Sequence, residues 1–245
     1  MPNLYKASLI ITHMELTLGI DDAGRGPVIG PLVLGGALLN PEAEEKLKAL
    51  GVRDSKLLTP KKRESLAEEI KEISLGYETV VTSADQLNEM MSSGINLNFI
   101  EAIAVAQIIN KIRKKVDYKP LKIILDCPSI NTYAWLDKVR EFVGEGKELT
   151  YVCEHKADVN NISVGAGAIL AKVLRDEEIQ KIKESIGTDF GSGYPSDPKT
   201  VEFIRENYEK YKNHKIFREH WQTLQRITGK DKNERAGHEK QKKLF

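Results

Sequence analysis

Two apolar, strand-like runs in this chain stop on aspartate. Leu16 to Ile20 runs into Asp21-Asp22, and Ile123-Ile124-Leu125 runs into Asp126. A short apolar run ended by a carboxylate reads as a buried β-strand that delivers charge to the rim of a covered sheet. A carboxylate kept inside the apolar layer would be costly unless it were solvated, paired or bound to a cation. A further aspartate, Asp158, follows the strand-like Leu149 to Cys153 and precedes a helix rich in small residues. Functional groups of α/β sheets collect where strands give way to loops. Asp21, Asp22, Asp126 and Asp158 are therefore the candidate reactive set.

The rest of the pattern supports such a sheet. Val28 to Leu39 reads as a second strand, and Tyr77 to Thr82 alternates like another. Helical stretches are expected over Glu42–Leu50, from Thr59-Pro60 to about Ser74, over Ser83–Met91, Asn98–Lys115 and Asn131–Phe142, and from a Ser163 cap to about Ile186. Asn98–Lys115 is expected to be the longest. Strands first, then strands alternating with helices, predict a mixed α/β sheet covered by helices. Gly191-Ser192-Gly193-Tyr194-Pro195 opens a turn-rich linker, after which Lys199–Tyr211 and Lys215–Thr228 read as short helices. This divides the 245 residues into 1–190, a catalytic domain, and 191–245, a helical region with a basic tail.

Bulk charge selects no partner. Lysine and arginine total 37 against 36 acidic residues, a net charge of +1. Binding a polyanion needs a local basic surface, not a high total. Two cysteines, Cys127 and Cys153, make no disulfide framework, and a reduced, cytoplasmic setting is expected. No apolar run reaches the roughly 18 to 20 residues that span a bilayer, and no signal-peptide pattern is found at the start. A monomer without a membrane partner is expected.

Several carboxylates in one place repel each other, by about 4 kcal/mol per pair at 4 Å and an effective dielectric near 20. Such a cluster persists by raising its pKa values or by binding cations. An all-oxygen donor set favours Mg²⁺ or Mn²⁺ over zinc. Two such ions can activate water and stabilise the leaving oxygen of a phosphodiester. Taken singly, each aspartate is equally an ordinary turn former. Asp21 and Asp22 also point to opposite faces of a strand, so a turn at Ala23-Gly24 is expected to bring both to one site.

Gly24-Arg25-Gly26-Pro27-Val28-Ile29-Gly30 superficially resembles a dinucleotide fingerprint. That fingerprint needs a helix to start at the glycines, whereas Pro27, Pro31 and Leu32-Val33-Leu34 argue for a strand. Glycines around an arginine also let a backbone approach a ligand closely.

In order along the chain stand Gly19 to Pro31, Asp54-Ser55-Lys56-Leu57, the strand ending in Asp126, His155-Lys156-Ala157-Asp158, Ile169-Leu170-Ala171-Lys172-Val173 with Arg175-Asp176, and Gly191 to Pro195. With these motifs the chain resembles type 2 ribonuclease H (ribonuclease HII), especially archaeal members, from about Leu16 to Leu224. The resemblance implies the ribonuclease H fold, a mixed five-stranded sheet flanked by helices with a small C-terminal helical appendage. It implies cleavage of RNA in RNA–DNA hybrids and incision on the 5′ side of a ribonucleotide embedded in duplex DNA, leaving a 3′-hydroxyl and a 5′-phosphate. A place in ribonucleotide excision repair and DNA replication goes with that activity.

Residue by residue, Asp21, Asp22, Asp126 and Asp158 match the family's four catalytic, metal-binding positions. Gly24, Arg25 and Gly26 match the segment that reads the ribose 2′-hydroxyl, the group that distinguishes RNA from DNA. Tyr194 matches a tyrosine that packs on the following deoxyribose. Ser55 and Lys56 match positions that hold the nucleic-acid backbone. Lys172 and Arg175, one helical turn apart, are either phosphate contacts or a solvated basic face.

The chain also departs from the family. Aspartate stands at position 22 where the family has glutamate, which shortens the reach by one bond. Weaker Mg²⁺-dependent activity or a stronger Mn²⁺ preference is expected, because Mg²⁺ is the stricter in geometry. A non-catalytic junction-binding protein is the alternative that Asp22 allows. The type 3 relative, with an extra N-terminal domain, is a second. Ala168 and His220 replace usual serines and are expected to loosen local hydrogen bonding; Asn160-Asn161 is also atypical. At the C-terminus, Gln241, Leu244 and Phe245 resemble the start of a peptide that binds the DNA sliding clamp, set against a plain basic tail.

Overall fold

A computed structural model of the chain describes residues 15–52, 58–116, 121–144 and 149–230. Its centre is a five-stranded sheet in the order β3-β2-β1-β4-β5. Strand β1 (Leu16–Ala23) runs antiparallel to β2 (Leu32–Leu39) and parallel to β4 (Leu121–Asp126), which is parallel to β5 (Leu149–Glu154). β3 (Gly76–Thr82) lies at the β2 edge. The mixed sheet agrees with the fold expected from the sequence.

Among the described residues the helices are α1 (Pro41–Ala49), α2 (Pro60–Ile73), α3 (Ala84–Ser92), α4 (Leu97–Lys115), α5 (Thr132–Phe142), α6 (Ala157–Asn160), α7 (Ile162–Ile186), α8 (Pro198–Tyr211) and α9 (Gln222–Thr228). Local chemistry sets several starts. Asn40, Thr59, Ser83, Asn131 and Asp197 each accept a backbone N–H of the first turn through the side chain. At 25 residues α7, not α4, is the longest. No single described helix is long and apolar enough to cross a membrane.

The chain falls into two compact units that interleave along the sequence. The first holds Val33–Val81, Leu97–Leu174 and the chain up to Ala23. In it, Ala37 and Leu39 of β2 pack with Leu47 of α1, Leu66 of α2 and Ile169 of α7. On this face helix and sheet meet at their backbones. A Cβ on Gly19 would stand 2.1 Å from the Ser163 carbonyl carbon, and one on Gly35 would stand 2.4 Å from the Gly167 oxygen. On the other face, a Cβ on Gly36 would meet Ile108 of α4. The second unit holds Gly24–Leu32, Thr82–Asn96 and the chain from Arg175. Its core is largely aromatic, with Val28 and Ile29 packed among Phe190, Phe203, Tyr208 and Phe217.

Three local expectations are corrected. β2 begins at Leu32, not Val28, because Gly30 takes φ 91° and Ile29 pairs with Phe217 in the second unit. Ser163 is not a helix cap: α7 starts at Ile162, and the Ser163 hydroxyl is fully buried with no hydrogen-bond partner in the described structure. Lys215 opens no helix. It sits in the left-handed region at φ 60°, and α9 begins at Gln222.

Candidate active site

The acidic set lies within the first unit. Pairing carries β1 past both aspartates, with Asp21 opposite Gly35, Asp22 opposite Leu34 and Ala23 opposite Val33. The expected turn therefore comes one residue later than Ala23, at Gly24, where φ is 89°. The pleat sends the Asp21 and Asp22 side chains to opposite faces. Even so, both border one narrow cleft, together with Glu101, Asp126, Pro128 and Trp135.

Two helix contacts hold this region in place. The Asp126 carboxylate accepts the Ala157 N–H at 2.8 Å. Ala157 opens α6, so Asp126 satisfies one of the donors that a helix start leaves unpaired. Asp158, the next residue of α6, is buried. The Asn161 side chain donates to Glu154 at 2.9 Å and to the Ala157 carbonyl at 3.0 Å, fastening α6 to the end of β5. That contact gives the atypical Asn161 a structural role. Trp135 donates its indole N–H to the Asn98 carbonyl and ties α5 to the start of α4.

Asp21 shows the electrostatic strain of the cluster. Burial pushes its carboxyl well above the usual carboxylate range, and the charges of Asp22, Asp126 and, more weakly, Asp158 push it further. The Asp22 N–H, which Asp21 accepts at 2.7 Å, pulls the other way. Yet among the described residues no three acidic, histidine or cysteine side chains stand at the spacing at which one ion would take them all. The carboxylates are near enough to raise Asp21 without forming a ready-made cage. Their chemistry fits a hard divalent cation, since the set is all oxygen and neutralising charge would relieve the repulsion.

Sequence reasoning missed Glu101. It is 2% exposed on α4 and borders the cleft beside Asp22. The available signal was one acid within the apolar stripe of that helix. The two cysteines lie beside Asp126, and both are free. Burial pushes the Cys153 thiol up, and the adjoining Cys127 side chain and Asp126 charge push it further. It is a structural thiol and not a reactive one.

The glycine–arginine segment belongs to the second unit, where buried cations and backbone bonds fix it. Val28 N–H donates to the Gly193 carbonyl at 2.9 Å. Arg218, with no exposed surface, donates to the Gly30 carbonyl at 2.8 Å and to the Arg25 carbonyl at 3.2 Å, and its guanidinium lies over the Trp221 ring. Arg175 is 2% exposed, so it forms no solvated face. It donates to the Ser192 carbonyl at 2.6 Å and its guanidinium stands 4.9 Å from the centre of the Tyr194 ring. A Cβ on Gly26 would rest 3.7 Å from that ring, whereas one on Gly24 would collide with the Pro31 oxygen at 2.7 Å. His220 does not loosen its surroundings as expected: its Nε2 hydrogen-bonds the Ser92 hydroxyl at 2.9 Å. Lys172 is half-buried on α7. Ser55, Lys56, Gln241, Leu244 and Phe245 lie outside the described residues.

The family model for ribonuclease HII matches residues 18–224. The chain belongs to the ribonuclease HII family. It is a metal-dependent endoribonuclease of the ribonuclease H class, which acts on RNA paired with DNA. A ribonuclease HII from Methanocaldococcus jannaschii is 40% identical over 226 residues, 89% of this chain and 96% of that protein. The crystal structure of the ribonuclease H2 from Pyrococcus horikoshii superposes with a TM-score of 0.76 at 36% identity, covering 88% of this chain and 98% of that one. The ribonuclease HII of Archaeoglobus fulgidus, solved in a complex with PCNA, gives a TM-score of 0.74 at 38% identity over 84% of this chain and 95% of that one.

Proposed function

We propose that this chain incises the phosphodiester on the 5′ side of ribonucleotides embedded in duplex DNA, as well as cutting RNA in hybrids, and leaves 3′-hydroxyl and 5′-phosphate ends. The observation that carries the reading is the grouping of Asp21, Asp22 and Asp126 on one cleft, where their mutual repulsion, seen in the raised carboxyl of Asp21, would be relieved by bound cations. Asp21, Asp22, Asp126 and Asp158 would hold divalent ions. When bound, two Mg²⁺ or Mn²⁺ ions supply acidity to an attacking water and positive charge to the leaving oxygen.

The chain's own residues do the rest. Asp126 is held by the Ala157 N–H, which keeps one of its oxygens from swinging away. Gly24, Arg25 and Gly26 present backbone to a ribose 2′-hydroxyl, a group that both donates and accepts. Arg218 holds the Arg25 carbonyl, and the Gly193 carbonyl holds the N–H groups of Val28 and Ile29 that follow. Tyr194 offers a ring face to the deoxyribose, with Arg175 beneath it. Lys172, Ser55 and Lys56 contribute to the grip on the phosphate backbone. Gln241, Leu244 and Phe245 would engage a sliding clamp, a reading supported by the Archaeoglobus fulgidus complex.

The test is a duplex carrying one ribonucleotide, and separately an RNA–DNA hybrid, incubated with the protein in Mg²⁺ or Mn²⁺ beside Asp126→Asn. One cut 5′ to the ribonucleotide is expected, and the variant should lose roughly a hundredfold or more in rate. Equal cutting by Asp126→Asn would refute the site. Binding without cutting in either metal would favour the non-catalytic alternative.

A further inference from the structure

Three large apolar side chains stand in solvent on the two segments of the first unit that carry Asp126 and Asp158. Ile130 is 100% exposed, Tyr133 83% and Val159 46%. One such residue alone would mean nothing, but these three follow two of the candidate carboxylates closely in the chain. Ile130 and Tyr133 follow Asp126 within two turns of chain, and Val159 directly follows Asp158. The segments that carry them are laced together. Asp126 accepts the Ala157 N–H at 2.8 Å, Cys127 N–H donates to the Glu154 carbonyl at 2.9 Å, and His155 donates Nδ1–H to the Cys127 carbonyl at 3.0 Å. These bonds tie the segment after Asp126 to the segment that carries Asp158.

We propose that Ile130, Tyr133 and Val159 form an apolar rim that lies against the sugars and base edges of the RNA–DNA duplex while its scissile phosphate is at the acidic cluster. The inference rests on the reading of that cluster as the cutting centre. Position selects the occupant. The stretch from Asp126 to Ile130 spans at most about 14 Å, which is about four base steps of a duplex at 3.4 Å per step. A substrate whose phosphate reaches Asp126 therefore runs within reach of the rim. Chemistry agrees with position. Bound ions and lysines would serve the phosphates, and exposed apolar side chains suit the uncharged parts of the duplex. An A-form-like helix offers a wide, shallow minor groove lined by sugars and base edges. Packing on sugars reads no sequence, which suits an enzyme that must accept many sequences.

The rim makes a prediction that a charged contact does not. Ile130→Ser and Tyr133→Ser are combined in the full-length protein, beside a control that carries Leu75→Ser and Tyr77→Ser, two exposed apolar residues away from the cluster in sequence. Unchanged thermal unfolding shows that both variants fold. The rim variant should raise KM for an RNA–DNA hybrid about tenfold, leave kcat within about twofold, and keep the wild-type slope of log KM against log salt. The control should match wild type. An unchanged KM in the rim variant overturns the proposal, including the case in which the patch serves a protein partner. A flattened salt slope also overturns it, because the lost contact would then be to phosphate. Asp126→Asn in the same assay separates the two claims. If it is inactive while the rim variant keeps its KM, the rim alone is rejected; if it cuts normally, the reading of the cluster falls first.

Discussion

The two units carry their functional groups by opposite physical means. In the first, carboxylates are buried near one another, and the cost is visible in the raised carboxyl of Asp21. In the second, two buried arginines are spent on main-chain carbonyls: Arg218 on Arg25 and Gly30, Arg175 on Ser192. One site is held in tension until cations neutralise it. The other is fixed by the protein's own cations. Charge suits the task of collecting ions, whereas a rigid backbone suits the task of measuring a sugar, where a fraction of an ångström separates a hydroxyl from a hydrogen.

The largest expected effect that would break this comparison is Arg218→Met. It strips donors from two carbonyls in a buried place and should cost about 2–3 kcal/mol of stability, read by chemical denaturation. In the folded fraction, preference for an embedded ribonucleotide over plain DNA should fall while Asp126 chemistry persists. Full stability and selectivity would show that the segment needs no buried cation.

Next is Asp21→Asn in metal-free protein. The folded pKa of Asp21 is raised, so between the unfolded value of roughly 3.9 and the folded value the native state binds more protons than the unfolded one. Stability therefore falls as pH rises through that window, and each tenfold loss of acidity costs the ionised carboxyl about 1.4 kcal/mol. The asparagine variant should be more stable than wild type at neutral pH, with the gap closing as the pH falls towards the unfolded value. Added Mg²⁺ or Mn²⁺ should stabilise wild type more than the variant. Equal stability at neutral pH would mean that the cluster is not under tension.

The smallest effect sharpens the comparison. Asp22→Glu restores the longer side chain of the family and should raise Mg²⁺-supported turnover severalfold, with less change under Mn²⁺, whose geometry is looser. No gain under Mg²⁺ would mean that the chain has already adapted its cleft to aspartate.

Much of the sheet and the acidic set were legible because both depend on local pattern. Apolar runs stopped by Asp21 and Asp126 mark strand ends without knowledge of their neighbours. The errors arose where distant residues decide. Val28 and Ile29 look like strand because they are apolar, but Phe203 and Phe217 recruit them to another core. Arg175 and Arg218 look like surface because arginine is seldom buried; carbonyls far along the chain bury them. Glu101 interrupts the apolar stripe of α4, and only the fold shows it at the cleft. Ser163 looks like a cap because its type suits one, while the closeness of Gly19 places it inside the helix packing.

That closeness has a thermal meaning. Most layers in a protein are spaced by side chains, which change rotamer and loosen as temperature rises. Where β1 and β2 meet α7, Gly19, Gly35 and Gly167 leave peptide against peptide. Peptide units are planar and nearly incompressible, with no rotamers to melt. Gly19 stands two residues before Asp21 on the same strand. The depth at which that carboxyl is carried is therefore set by a dry stop, like a shaft seated on its shoulder, and should drift little with heat while the side-chain-packed layers around it soften.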